Sequence, residues 1–249
     1  MKKKVITYSL LFILGLALGI FSSNIFLKDN YKTNNKISIN SETKIKPNSN
    51  KEYIVEDNKK ENNVLNNKKV ILNISPQNQK EWNYCAPTTV SMMLSSKNIN
   101  VDQYTLAKEM GTYEPFGTHN KDAIRILNKY MFGYEIPQDG NAGYRLETVS
   151  EVNQNTIKTF KERLIKNIKE GYPMYYTFDS SKVYPGKHGE HNVIGIGYLL
   201  NENKDDIEYL YYLDPDYNVN DKIHGGLKII KIEDLLNSML TCEEPNYAW

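Results

Sequence analysis

The sequence predicts an α+β domain in which N-terminal helices pack on a C-terminal antiparallel sheet. Three observations carry this. The candidate helices precede the candidate strands instead of alternating with them, as a parallel sheet would require. Two long apolar runs, "HNVIGIGYL" at 191–199 and "IEYLYYL" at 207–213, are joined by the polar "LNENKDD", which is the pattern of a hairpin. The texture of the chain also changes at Val70, from a polar tract to apolar runs punctuated by turn residues.

The elements follow in order. "VILNI" from Val70 reads as a strand closed by Ser75-Pro76. After Cys85, the residues Ala86, Val90, Met93 and Leu94 recur at helical spacing, so an amphipathic helix begins at or just after the cysteine. Asp102 is a candidate N-cap for a short helix through Leu106 and Met110, stopped by Gly111. A further helix over Lys121 to Met131 places Ile124, Leu127 and Tyr130 on one face and ends at Gly133. Asn155 is expected to cap a longer helix with a buried stripe of Ile157, Phe160, Leu164 and Ile168, terminated by Gly171 and Pro173. "MYYTF" at 174–178 and the hairpin follow as strands. "LKIIKI" adds another strand, before a short helix around Leu235 to Leu240. The tyrosines Tyr175, Tyr176, Tyr209, Tyr211 and Tyr212 are expected to pack on the sheet.

Composition narrows the function classes. The chain has 249 residues, 40% of them hydrophobic, enough for one mid-sized domain with extensions. Its 31 basic and 30 acidic residues leave a net charge of +1, with no clustered basic face to suit a nucleic-acid partner. Two cysteines are too few for a disulfide scaffold, although a single Cys85–Cys242 bridge is open on the count alone. No internal repeat is visible.

The N-terminal flank points to export. Lys2, Lys3 and Lys4 precede an apolar run from Val5 to Phe26, which as a helix would span about 33 Å, enough for a bilayer core. The lysines hold that end in the cytoplasm and send the rest outward. Residues 1–27 are therefore expected to be a signal anchor, with a transmembrane helix over about 5–26. Ala17 and Gly19 also satisfy the small-residue rule for a cleaved signal peptide, which would leave a secreted protein. Residues 28–68, rich in Asn, Lys, Ser, Thr and Glu, read as a disordered polar linker. The domain proper is expected over 69–249.

Cys85, in "WNYCAPTTVSMML", is the leading candidate for chemistry. A cysteine at a helix N-terminus meets unpaired N–H groups and the positive end of the helix dipole, which favour the nucleophilic thiolate. Gln79 stands six residues ahead, where its amide and the Cys85 N–H could hold an oxyanion; Gln77 is a competitor. Among four histidines, His191 alone opens a strongly apolar strand that would hold its ring, so it is the expected base. His119, His188 and His224 read as surface loop residues. Asp214, in "YYLDPDY" at the end of the paired strand, can orient the imidazole, with Asp216 as an alternative. Two metal patterns fail: "HGEH" at 188–191 does not match HExxH, and a calcium loop from Asp214 has Val219 where Gly is required and Gly225 where Glu is required.

Taken in order, "QKEWNYCAPTTVSMML", "GYPMYYTF", "GEHNVIGIGY" and "YYLDPDY" resemble the bacteriocin-processing-peptidase-like proteins, peptidase family C thirty-nine and its relatives. The resemblance covers roughly Val70 to the C-terminus and implies a papain-like cysteine peptidase fold. It also implies Cys85 as nucleophile, His191 as general base, Asp214 as orienting carboxylate and Gln79 as oxyanion donor, without a cofactor. One departure is Ala86, where the family usually has Gly; it is harmless if that residue is helical and straining if φ must be positive. No GxxxxGK[ST] segment occurs, so the ATPase of the leader-cleaving exporters has no counterpart here. The expected function is an exported, membrane-tethered cysteine peptidase acting on peptide or isopeptide bonds of a peptide or protein substrate. Alternatives are an amidase or deamidase acting on cell-wall peptides or glutamine side chains, and a catalytically silent peptide-binding module.

Overall fold

The elements run β1 (Lys69–Ile71), α1 (Cys85–Ser95), α2 (Gln103–Met110), α3 (Asn120–Phe132), β2 (Leu146–Thr148), α4 (Gln154–Lys169), β3 (Met174–Asp179), α5 (Ser180–Val183), β4 (Glu190–Leu200), β5 (Ile207–Leu213), β6 (Leu227–Ile230), α6 (Ile232–Met239) and β7 (Asn246–Ala248). This computed structural model describes residues 68–249, so the expected anchor at 1–27 and nearly all of the linker at 28–68 lie outside the described residues. Among the described residues no helix is long and apolar enough to cross a membrane.

The strands form one antiparallel sheet in the order β2-β7-β3-β4-β5-β6. Strand β4 is its axis. Along one edge its first half pairs with β3 and its second half with β1; along the other it pairs with β5 as the expected hairpin. The sequence reading missed β2, β7 and the single turn α5. Three-residue strands carry too little periodicity to stand out, and their pairing partners are remote in the chain. "VILNI" also forms a shorter strand than expected, leaving the sheet after Ile71.

Side chains alternate between two cores, as a pleated sheet with both faces covered requires. Tyr175, Ile194 and Leu213 face one core with residues of α1, α2 and α3. Met174, Tyr176, Phe178, Val193, Leu210 and Tyr212 face the other, with α4 and α6. The N-terminal helices thus pack on the sheet as expected, and the later helices cover its other face. Tyr175, Tyr176 and Tyr212 are buried in these cores, while Tyr209 and Tyr211 are half-buried.

Two expectations about helices need correction. Helix α1 is not amphipathic: Ala86 through Leu94 are all buried. Its polar residues survive burial because each hydroxyl has an acceptor. Thr88 donates to Tyr84 O (2.7 Å), Thr89 to Asn192 O (3.0 Å) and Ser91 to Val101 O (3.0 Å). Helix α4 is capped by Asn153, not Asn155. Asn153 is extended and its Oδ1 accepts the N–H groups of Asn155 and Thr156, so Asn155 is already inside the first turn. Asp102 does cap α2, and Gly111 and Gly133, at φ 69 and 83, close α2 and α3.

A bulge between Gly195 and Gly197 shifts the β4 register, so Tyr198 faces the same core as Val193 although five residues separate them. Glycine is required at both positions by space. A Cβ at Gly195 would overlap the Tyr176 ring, and one at Gly197 would overlap the β1 backbone at Val70. Gly195→Ala is therefore expected to destabilise the protein by about 1–3 kcal/mol through overpacking. In urea denaturation this should appear as a lower midpoint with an unchanged slope.

Candidate active site

Antiparallel pairing brings the ends of distant segments together. Because Ile194 pairs with Leu213, the start of β4 lies beside the end of β5, and His191 comes next to Asp214. Helix α1 packs on β4, anchored there by the Thr89 hydroxyl on the Asn192 carbonyl, so its first residue, Cys85, meets the same strand end. All three residues converge at one site. Nε2 of His191 bonds Oδ1 of Asp214 at 2.7 Å, which leaves Nδ1 as the ring nitrogen available to the Cys85 thiol.

The carboxylate is fully engaged. Asp214 is 1% exposed; besides His191, its Oδ1 accepts the Asp216 N–H (2.8 Å) and its Oδ2 accepts the Tyr184 hydroxyl (2.7 Å). Tyr212 lies 2.9 Å behind Tyr184, hydroxyl to hydroxyl. Burial and the neighbouring Asp214 charge push the Tyr184 phenol far above its usual value, so it remains a donor. The Phe178 ring meets the imidazole edge-on at 5.7 Å. Asp216, the alternative orienting group, instead accepts Lys187 Nζ (3.0 Å) and caps a short 3-10 turn at Tyr217–Val219.

Burial by itself would lower the His191 pKa. Hydrogen bonds and charge from Asp214 and Cys85 outweigh it and lift the value to about 10. The imidazolium is thus favoured at neutral pH.

Cys85 opens α1 without a side-chain cap from Tyr84, and Pro87 has no N–H to offer. The Cys85 and Ala86 N–H groups stand at the helix start, where no intrahelical acceptor exists. Ala86 is helical and fully buried, so the departure from Gly costs no strain here. Gln79 lines the same cleft as Cys85, but its Nε2 donates to the carbonyls of Glu81 (3.0 Å) and Trp82 (2.7 Å) within its own loop. Gln77 contacts Gln103 instead. Cys85 and Cys242 are both free thiols, so the single bridge left open by the count is not formed. Burial, with the charges of Glu190 and Asp179, pushes the Cys242 thiol up to about 12.

The site opens into a cleft of about 620 Å³. One part of its lining is apolar, with Trp82 and Phe116; another carries the carboxylates of Asp179, Glu190, Glu243 and Glu244. Of the other histidines, His188 lines the cleft and His224 is exposed, both on the surface as expected. His119 departs from that reading: it is half-buried at the start of α3, 2.6 Å from a Glu244 oxygen.

Sequence reasoning missed three residues of the site. Tyr184 follows α5 in a glycine-rich loop, and nothing in its spacing signals its contact with Asp214. Asn192 lies 3.4 Å from Cys85 Sγ, and Asn120 lies behind it. A polar residue inside the apolar "HNVIGIG" run was the one available signal for Asn192.

The folded His191 pKa of about 10 exceeds the ordinary value of 6.5, so the stability it contributes is complete below pH 6.5 and is lost as pH rises through about 10. The urea stability of the protein minus that of His191→Gln should accordingly be largest at acid pH and shrink towards pH 10. A difference that grows with pH would contradict the raised value.

The chain is similar to known proteins. A family model described as "Peptidase_C39 like family" matches residues 71–228. Among solved structures, a protein of Bacillus anthracis described as C39-like peptidase is 19% identical, covering 72% of this chain and 96% of its own, with a TM-score of 0.47. A double glycine motif protease from an AMS/PCAT transporter, solved with the leader peptide, is 12% identical over 73% of this chain and 95% of its own, at a TM-score of 0.44. The peptidase domain of Streptococcus ComA, a bifunctional ABC transporter of a quorum sensing pathway, is 14% identical over 70% and 95%, at 0.43. No curated protein sequence matches. The fold is α+β, as the sequence implied, and the chain belongs to the Peptidase_C39 like family.

Proposed function

We propose that this protein is an exported, membrane-tethered cysteine peptidase that hydrolyses peptide or isopeptide bonds through Cys85, His191 and Asp214. The observation that carries the reading is the placement of His191 between a helix-terminal thiol and a buried carboxylate at the edge of an open cleft. The lysine-flanked apolar run at the N-terminus supports export and tethering.

The chemistry follows from the geometry. The Cys85 sulfur and His191 Nδ1 share one proton, and its transfer to nitrogen leaves a thiolate beside an imidazolium held by Asp214. The thiolate attacks the carbonyl carbon, and the charge that develops on oxygen is met by the unpaired Cys85 N–H. For Gln79 to donate there as well, its Nε2 must release one of its two loop carbonyls, so the backbone group comes first. His191 then protonates the leaving amine, giving a thioester. Water, deprotonated by His191, attacks the thioester and restores the thiol.

Cys85→Ser and His191→Ala are expected to lower cleavage of a mixed peptide library by about three orders of magnitude or more. In parallel, iodoacetamide should label Cys85 of the full chain at neutral pH, and His191→Ala should push that labelling to alkaline pH. Labelling indifferent to His191, with no cleavage in any sample, would leave a peptide-binding module in place of an enzyme.

A further inference from the structure

Cys85 has a second polar neighbour besides its base. Sγ lies 3.4 Å from Oδ1 of Asn192, the residue after His191 on β4. Which end of an amide meets the sulfur is decided by the partners of the other end. Here they form a chain with a fixed starting point. Asn120 Nδ2 donates to the backbone carbonyl of Glu244 (3.2 Å), an atom that can only accept, and to Asn246 Oδ1 (3.3 Å). The Asn120 oxygen must then face the opposite way, where it accepts from the Tyr175 hydroxyl (3.0 Å) and from Asn192 Nδ2 (3.1 Å). Asn192 Nδ2 gives its other hydrogen to Thr177 Oγ1 at 2.9 Å. Only the carbonyl end of Asn192 remains for Cys85. Asn120, Thr177, Tyr175 and Asn192 are each more than nine-tenths buried, so packing also resists a flip of either amide.

An amide oxygen accepts a proton donor and offers none. Facing Sγ, it stabilises the S–H form and opposes the charge of the thiolate. His191 pulls in the opposite direction. Resting on the thiol-hydrolase reading above, we propose that Asn192 opposes the thiolate of the Cys85–His191 pair, shifting the shared proton towards Cys85 and tempering the nucleophile of the empty site. The proton moves between Sγ and Nδ1 with no external reagent. The other titratable groups near the sulfur are Asp214 behind His191, Tyr175 on β3, Glu190 at the start of β4 and Glu244 before β7. None of these groups is itself removed by replacing Asn192.

The test is the rate of iodoacetamide alkylation at Cys85 of the full chain, followed by mass spectrometry of its peptide across pH. Removing the acceptor with Asn192→Ala shifts the balance from thiol towards thiolate. The rate should rise about threefold to tenfold near and below neutral pH, the size of one hydrogen bond. It should converge with the unmodified protein well above the free-thiol value of about 8.5, where both are ionised. Asn192→Asp, which places a carboxylate there, should slow the reaction at neutral pH and converge likewise. A rate raised equally at every pH would mean looser packing alone and would overturn the inference, as would no change. If His191→Ala leaves the profile untouched, the hydrolase reading itself fails, and this one with it.

Discussion

The docking of helix α1 against strand β4 is the constraint on which the rest of the molecule depends. Nine consecutive residues of α1, from Ala86 to Leu94, are buried between α2, α3 and the sheet. A helix enclosed in this way has no freedom to rotate or slide, because the hydroxyls of Thr89 and Ser91 are tied to carbonyls outside it and its apolar residues fill fixed spaces. Its first residue is therefore delivered to a fixed point, and that residue is Cys85. The Thr89 bond to the Asn192 carbonyl sets the height of the helix along β4, one residue from His191. The proposed nucleophile on a buried helix and the proposed base on a central strand are both carried by rigid elements, which is what a reaction sensitive to small displacements requires.

The polar groups under the cleft are arranged in two sets with opposite electrostatic sense. Behind His191 stand Asp214, Tyr184 and Tyr212, linked in series, which stabilise a charged imidazole. A carboxylate this deeply buried is expensive unless each lone pair finds a donor, and Asp214 has three. Beside Cys85 stand Asn192, Asn120, Thr177 and Tyr175, a neutral set whose orientation is inherited from a backbone carbonyl at Glu244. The C-terminal segment before β7 thus reaches the nucleophile through two amides. Buried networks of this kind are tolerated because every member is paired, and they restrict each side chain to one arrangement.

Much of this was legible before any coordinates. The N-terminal position of Cys85 on a helix, the strand opened by His191, the hairpin and the Asp-Pro end of β5 each follow from local pattern, because periodicity, capping residues and turn chemistry act within a few residues. The choice between Asp214 and Asp216, or Gln77 and Gln79, does not. Each pair places two residues of the same type close together in the chain, and the strand register and loop path separate them. The amphipathic reading of α1 failed because buried Thr and Ser look like a solvent face in sequence, whereas here their hydroxyls are consumed by backbone carbonyls.

By itself the sequence determined the family, the order of the longer elements and the candidate thiol and imidazole, since these rest on residue type and short-range spacing. Tertiary structure alone decided what surrounds them. Tyr184 reaches Asp214 from a loop 30 residues away, and Glu244 orients Asn120 from 124 residues away. Such contacts come from chain crossing and sheet register, and hydrogen-bond direction is a property of the assembled network with no counterpart in local sequence.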